Sequence, residues 1–245
     1  MKNNLLIFLF ATLSLFCFSQ QSKERSSWDF PIKPGMKEWK KLESHQAMVE
    51  VCQIPDNILP TLSTDELAKI CLDYPLFFTM KAFNNLQEGF NQVSKEFNGF
   101  QELFKRDDAG SVLLHIYKTI KPEMIIYKET NLEKGSFIQQ IFYLEFILAQ
   151  NVIISKLNNE GIQELLKECM NKLDSKANYN FSTFSTQTTP LIMTRTLEIK
   201  EFSKYKIENQ KSEKYKYFSN AVLLSDKNMI EEIKSLTLDY LKTIE

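Results

Sequence analysis

Glycine and proline are scarce in this 245-residue chain, which contains 6 and 7 of them. β-Sandwiches and β-barrels need turn residues after almost every short strand, so the composition argues against both. The hydrophobic fraction of 43% is sufficient for a sizeable core and excludes wholesale disorder. We therefore expect one ordinary globular domain, or two small ones.

Residues that support common enzyme chemistry are also few. His45 and His115 are the two available imidazole bases, and no Gly-x-Ser-x-Gly motif occurs, which weighs against nucleophilic hydrolysis. The widely spaced glycines form no phosphate-binding loop, and the absence of Cys-x-x-Cys argues against a zinc site. We assign no cofactor, no metal ligand and no catalytic residue from the sequence.

The charge is balanced, with 30 Lys+Arg against 31 Asp+Glu. A nucleic-acid-binding surface or a polybasic membrane anchor needs an excess of basic residues. The expected partner is therefore an unidentified protein or a small ligand, and not a nucleic acid.

Residues 1–19 have the pattern of a secretory signal peptide, with a basic start, a short apolar run and a small residue, Ser19, before the expected cleavage. The apolar run is too short for a comfortable membrane span. Two alternatives are a lipoprotein acylated at Cys17, which the preceding Phe16 disfavours, and a retained helical anchor. We predict cleavage before Gln20, export to the periplasm or the extracellular space, and no stable membrane span in the cleaved protein.

Three cysteines, Cys52, Cys71 and Cys169, follow the predicted signal peptide. They are too few for a disulfide scaffold. Cys71 and Cys169 lie on apolar helix faces, where cysteine is commonly a small core residue. A disulfide between Cys52 and Cys71 remains an open alternative.

The rest of the chain is predicted to be all-α. Residues 20–35 form an extended N-terminal arm, in which Trp28 and Phe30 are candidates for contact with the body. Residues 36–245 form a single helical domain, either stacked hairpins in an irregular α-solenoid or a multihelical bundle.

Helix starts and stripes support this prediction. The clearest stripe consists of apolar residues spaced 3, 4, 3 and 4 apart, which is typical of a packed helix: Phe83, Leu86, Phe90, Val93 and Phe97. Ser63 and Glu66 form a capping box. Gly89, inside the stripe, indicates a close helix approach. The adjacent residues Thr189 and Pro190 predict the start of a later helix.

Residues 137–157 are apolar around almost the whole helix circumference, which predicts a buried central helix. Its polar residues, including Glu145, would be costly in lipid and argue against a membrane span. Ser136 and Gln139 provide a candidate capping box at its start.

Five segments also carry a resemblance to a known group: residues 52–55, 62–67, 71–75, 84–90 and 97–110. In these segments the chain resembles uncharacterised secreted proteins of Bacteroides–Flavobacterium-type bacteria, with a match over about residues 48–118. The resemblance implies export and an all-helical fold, and it implies no activity.

Four residues are candidates for a binding or catalytic role. Glu145 lies on the most apolar helix, where burial favours general-acid chemistry, but a glycosidase needs a second carboxylate that the sequence does not identify. Arg106 is a candidate anion clamp or a local ion-pair partner, Asp108 a candidate helix cap, and Asn85 a candidate hydrogen-bond partner of a neighbouring loop.

The aromatic loop from Tyr179 to Phe184 is a candidate partner contact. Taken together, these features predict an exported, non-enzymatic helical interaction or scaffold module. The alternatives are a carrier that holds an apolar ligand in its helical core and an enzyme with an unrecognised carboxylate site.

Overall fold

The structure is a computed structural model that describes residues 28–211, 213–221 and 226–244. Within these ranges it contains α-helices and short 3-10 turns and no β-strand, so the all-α prediction is confirmed. The predicted signal peptide and the first half of the predicted arm, residues 20–27, lie outside the described residues.

The described α-helices are α1 (His45–Val51), α2 (Thr64–Leu72), α3 (Leu86–Glu96), α4 (Asn98–Leu103), α5 (Ala109–Thr119), α6 (Asn131–Leu148), α7 (Asn151–Ile154), α8 (Asn159–Asn178), α9 (Thr183–Thr186), α10 (Thr188–Ile199), α11 (Ser203–Lys211), α12 (Glu213–Ala221) and α13 (Lys227–Ile244). The 3-10 turns are Trp39–Lys41, Leu59–Thr61, Phe77–Ala82 and Pro122–Tyr127.

The helices pack as a multihelical bundle. In the first half of the chain, α2 packs on α4 and α5, and α5 continues the packing onto α6. In the second half, α10 packs on α6, α8, α12 and α13. One apolar core of contacting side chains extends from Phe30 to Leu241. None of the described helices has the length and apolar character that a bilayer span requires.

Two helix starts show where local sequence signals succeed and fail. At α2, the Ser63 side chain accepts the Glu66 backbone N–H and the Glu66 carboxylate accepts the Ser63 backbone N–H, as predicted. The predicted box at Ser136 and Gln139 is wrong. Thr130 and Glu133 form an equivalent box one turn and a half earlier, so α6 already begins at Asn131.

The predicted close approach at Gly89 is confirmed. A Cβ atom on Gly89 would lie 2.0 Å from the backbone oxygen of Met80, so the 3-10 turn Phe77–Ala82 packs directly on α3. Phe90 and Phe97 of the predicted stripe are buried. Phe83 is 40% exposed because it precedes the helix, which begins only at Leu86.

The sequence predicts one buried central helix over residues 137–157, but the structure divides this segment between α6 and α7. Residues 141–148 of α6 are all buried, but α6 ends at Leu148, and Gln150 precedes the separate short helix α7. In α10, every residue from Thr188 to Leu197 is buried. Its threonines and its arginine conceal this burial in the sequence.

The cysteines and the end of the arm lie in the core. Cys52, Cys71 and Cys169 are buried and free, so the possible disulfide between Cys52 and Cys71 is not formed. Burial raises the pKa of the Cys52 thiol to about 11. Phe30 is buried against Tyr74 and Phe97, which confirms the predicted contact of the arm with the body.

Candidate functional site

The Glu145 carboxylate is the centre of a buried polar network. Its Oε1 accepts hydrogen bonds from the hydroxyls of Tyr117 and Thr189, both at 2.8 Å. Its Oε2 accepts from the Lys176 ammonium at 2.5 Å and from the Thr188 hydroxyl. These partners come from α5, α8 and α10, so the network joins three helices to α6.

Lys176 supplies the charge that balances this carboxylate. The side chains of Lys176 and Glu145 are both 0% exposed. Lys176 also donates to the backbone oxygen of Ser185 at 2.9 Å and to the Thr189 hydroxyl at 3.0 Å. Burial lowers the pKa of Lys176, and the Glu145 carboxylate opposes this shift. Every donor of the ammonium group is used within the fold.

A second buried lysine lies one turn earlier on α8. Lys172 forms an ion pair of 2.9 Å with Glu168, donates to the Ile120 backbone oxygen, and lies 4.4 Å from the centre of the Tyr117 ring. Burial raises the pKa of Glu168, but hydrogen bonds from Lys121 and Lys172 outweigh it, and the net pKa is lowered. This half of the network extends from the core to the protein surface.

The network is a closed structural arrangement. Each Glu145 oxygen has two donors, and no other carboxylate contacts Glu145 in the described part of the chain. Substrate access would require the displacement of buried helices. Across the ranges that the structure describes, no group of His, Cys, Asp and Glu is placed to hold a metal ion.

The other three sequence candidates are separate from Glu145 and from one another. Arg106 donates from Nε to Glu102 Oε1 at 2.7 Å, as the local-pair alternative predicts. Asn85 caps α3, its own helix, by accepting from Glu88 N at 2.8 Å.

Asp108 occupies the N-cap position of α5, but its side chain makes no capping hydrogen bond. Its Oδ1 instead accepts from the Thr64 hydroxyl at 2.7 Å, which ties α5 to α2. The predicted side-chain cap is therefore wrong: the backbone of Asp108 (φ −86°, ψ 0°) is not in the extended conformation from which an N-cap side chain normally reaches the first N–H groups of the helix.

The predicted aromatic loop is partly ordered as helix α9. Phe184 is 42% exposed and stacks on Phe142 at a ring-centre distance of 5.0 Å. The Lys81 ammonium lies 5.3 Å from the centre of the Phe142 ring and 5.6 Å from that of Phe184. Much of this loop therefore packs on the protein itself.

Arg195 is a buried site residue that the sequence interpretation missed. It is 6% exposed, and its guanidinium donates to the backbone oxygen of Ser219 from Nε (3.0 Å) and Nη2 (2.8 Å). Nη1 donates to the backbone oxygen of Ala149 at 3.0 Å, and Nη2 also donates to Gln87 Oε1 at 2.7 Å. Burial lowers the pKa of Arg195 to about 10.

These contacts place Arg195 at two helix ends. Ala149 follows the last residue of α6, and Ser219 lies in the last turn of α12. Backbone carbonyls at helix C-termini carry partial negative charge, which favours a cation there. No carboxylate lies within ion-pair distance of Arg195 in the described residues.

Arg195 lines an open polar cleft of about 340 Å³. The lining residues are Gln87, Gln150, Asn151, Val152, Arg195, Glu198, Ser219 and Asn220. Gln87 Nε2 donates to Gln150 Oε1 at 2.9 Å, which fixes the amide on one side of the guanidinium. The cleft thus lies where α3, α7, α10 and α12 meet.

Comparisons of the chain with protein-family models, with curated proteins and with solved structures give no match. The functional inferences below are therefore based on the residues and their geometry.

Large apolar side chains are exposed around the start of α6. Ile126, Tyr127 and Leu132 are 61%, 77% and 80% exposed, and Met124 beside them is 36% exposed. Single exposed apolar residues are normal, but several within nine residues are typical of a contact surface. We call residues 124–132 the exposed apolar segment.

Proposed function

We propose that the protein is an exported, non-enzymatic helical interaction module. The observation that carries the proposal is the exposed apolar segment, whose side chains gain the most from coverage by a partner. Export rests on the signal-peptide pattern of residues 1–19 and on the resemblance to secreted bacterial proteins.

The arrangement of the buried charges favours a binding role over catalysis. Glu145, the strongest sequence candidate for catalysis, is 0% exposed and has all its acceptor positions directed at groups of the fold. A general acid must reach the atom that it protonates. The enzyme alternative therefore has no specific support at Glu145, and the polar lining of the Arg195 cleft does not favour an apolar-ligand carrier.

The interaction surface is testable by capture from the exported fraction of the native host with cross-linking. The test variant is Ile126→Ser/Tyr127→Ser/Leu132→Ser. The matched control is Ile207→Ser/Tyr217→Ser, which removes side chains that are 50% and 62% exposed elsewhere.

We expect the wild type and the control to capture the same partner and the triple variant to lose it, while far-UV circular dichroism stays unchanged. Equal capture by all three proteins would contradict the assignment of the surface. Export is checked separately by the intact mass of the exported protein, for which we expect Gln20 as the first residue.

A further inference from the structure

The Arg195 cleft has features of a ligand site that is distinct from the exposed apolar segment. A guanidinium carries five N–H donors. Four of the Arg195 donors bind neutral acceptors: two bind the Ser219 carbonyl, one the Ala149 carbonyl and one the Gln87 amide oxygen. The remaining N–H, on Nη1, has no acceptor in the described part of the chain.

A buried guanidinium is stabilised most by a carboxylate, because hydrogen bonds between ionised groups are about twice as strong as neutral ones. Among the described residues, the hydrogen-bond acceptors of Arg195 are all neutral, and Glu198 acts on its charge from beyond ion-pair distance. Because Arg195 lines the cleft, a carboxylate that enters it finds both an available N–H and an incompletely balanced positive charge.

The rim of the cleft adds both donors and an acceptor. Asn151 and Asn220 are exposed residues of the lining. Glu198 Oε2 accepts from the Ser219 hydroxyl at 2.8 Å, and this carboxylate is the negative group of the cleft. A dianion such as phosphate is disfavoured by Glu198, whereas a ligand with one carboxylate and a separate donor group complements both charges.

We propose that this cleft binds a small carboxylate that also carries a hydrogen-bond donor. α-Amino acids and sugar acids share this chemistry, and a volume of about 340 Å³ is suited to molecules of that size. Arg195 receives the ligand carboxylate, Asn151 donates to it from the rim, and Glu198 accepts from the ammonium or hydroxyl group.

The test is isothermal titration of the purified chain with the individual α-amino acids and with glucuronate and galacturonate at millimolar concentration. The counterparts that lack a carboxylate are the amino-acid amides and the parent sugars, and inorganic phosphate is a further probe. We expect at least one carboxylate to bind, and its counterpart without a carboxylate and phosphate to bind at least about tenfold more weakly.

Two rim variants locate the site without removal of Arg195, which holds α6, α10 and α12 together. Asn151→Ala should weaken the binding of either ligand class about tenfold. Glu198→Gln should weaken an amino acid about tenfold but change a sugar acid by no more than about twofold, which distinguishes the two sources. Glu160→Gln, an exposed carboxylate outside this cleft, is the matched control and should bind as the wild type does.

The proposal is overturned if neither class of carboxylate binds, or if amides and parent sugars bind as tightly as the acids. It is also overturned if Asn151→Ala leaves the affinity unchanged, because binding would then occur elsewhere. Far-UV circular dichroism of each variant confirms that the fold is retained.

Discussion

The buried ion pair between Lys176 and Glu145 gives a sharp prediction about stability. Lys176→Met leaves the Glu145 carboxylate with three hydroxyl donors but without a positive charge. Because neither side chain is exposed, water cannot replace the lost ammonium. We expect the free energy of unfolding to fall by about 3–5 kcal/mol, a large share of the 5–15 kcal/mol that is typical of a domain.

The double variant separates the interaction from the cost of each side chain. Glu145→Leu leaves Lys176 with only the Ser185 carbonyl and the Thr189 hydroxyl as partners. In Glu145→Leu/Lys176→Met no unpaired buried charge remains, although three hydroxyls lose their acceptor. The double variant should therefore be more stable than the sum of the single losses predicts, by at least about 2 kcal/mol.

Urea unfolding followed by far-UV circular dichroism measures these free energies. The control cycle uses Lys118→Met and Glu164→Leu, an ion pair of 2.8 Å whose side chains are 46% and 44% exposed. Its coupling should be much smaller than that of the buried pair because water screens it. Additive losses within about 0.5 kcal/mol for the buried pair would refute the assignment of a water-excluded network.

Three further predictions concern packing and pH. Gly89→Ala should destabilise the protein by more than about 2 kcal/mol because the Met80 backbone has to move, whereas Gly135→Ala, with nothing within 4 Å of the added Cβ, should stabilise it by about 0.5–1 kcal/mol; thermal melts compare the two. Glu168→Gln should lower the free energy of unfolding at pH 7 by about 1.5–3 kcal/mol. The pKa of Glu168 is lowered in the folded protein, so its contribution to stability is complete above the ordinary pKa of 4.5 and is lost as the pH falls from there through the lowered pKa. Urea titrations at pH 7 and in acid should show that the difference in stability between the wild type and Glu168→Gln vanishes in acid. Phe142→Ala, which truncates a residue that is 2% exposed, should cost about 3–5 kcal/mol, and equal urea midpoints for it and the exposed Lys40→Ala would contradict the burial of α6.

Local periodicity predicted the helices with one-sided stripes and failed where burial was complete. The 3–4 spacing through Phe90 and Phe97 and the Ser63–Glu66 box are local signals, and both agree with the structure. α10 is different because its enclosed surface includes four threonines and Arg195. Their polarity is compensated by partners from other helices, and such partners are not visible in a local pattern.

The two buried lysines were predictable in part. The apolar stripe of α8 contains Cys169 and Leu173, and extension of the same spacing reaches Lys172 and Lys176. A lysine on an apolar stripe indicates a buried partner of opposite charge. Glu145, a carboxylate on an otherwise apolar segment, was the complementary signal, but the pairing of the two joins residues 31 positions apart and depends on the tertiary fold.

The Arg195 cleft had a weaker sequence signal. Its acceptors include the Ala149 carbonyl, which is accessible because α6 ends at Leu148 and α7 starts after Gln150. The uniformly apolar pattern of residues 137–157 predicted a continuous helix, in which that carbonyl would be bonded internally. Because the cleft depends on the end of α6 at Leu148, a sequence analysis that predicts a continuous helix also misses the cleft.

The two polar centres also act on the same helix interface, and this has a testable consequence for the cleft. Glu145 of α6 accepts hydrogen bonds from Thr188 and Thr189 at the start of α10. Four residues after Glu145, the Ala149 carbonyl accepts one from Arg195, which lies further along α10 in the same chain direction. Apolar helix faces tolerate sliding, whereas buried polar contacts specify one register. We predict that Glu145→Leu/Lys176→Met stays helical but allows α10 to shift against α6, which moves Arg195 relative to the cleft. Hydrogen exchange should then accelerate in α10 at urea concentrations well below the unfolding midpoint, and unchanged protection there would show that the Glu145 network is not needed to fix the register.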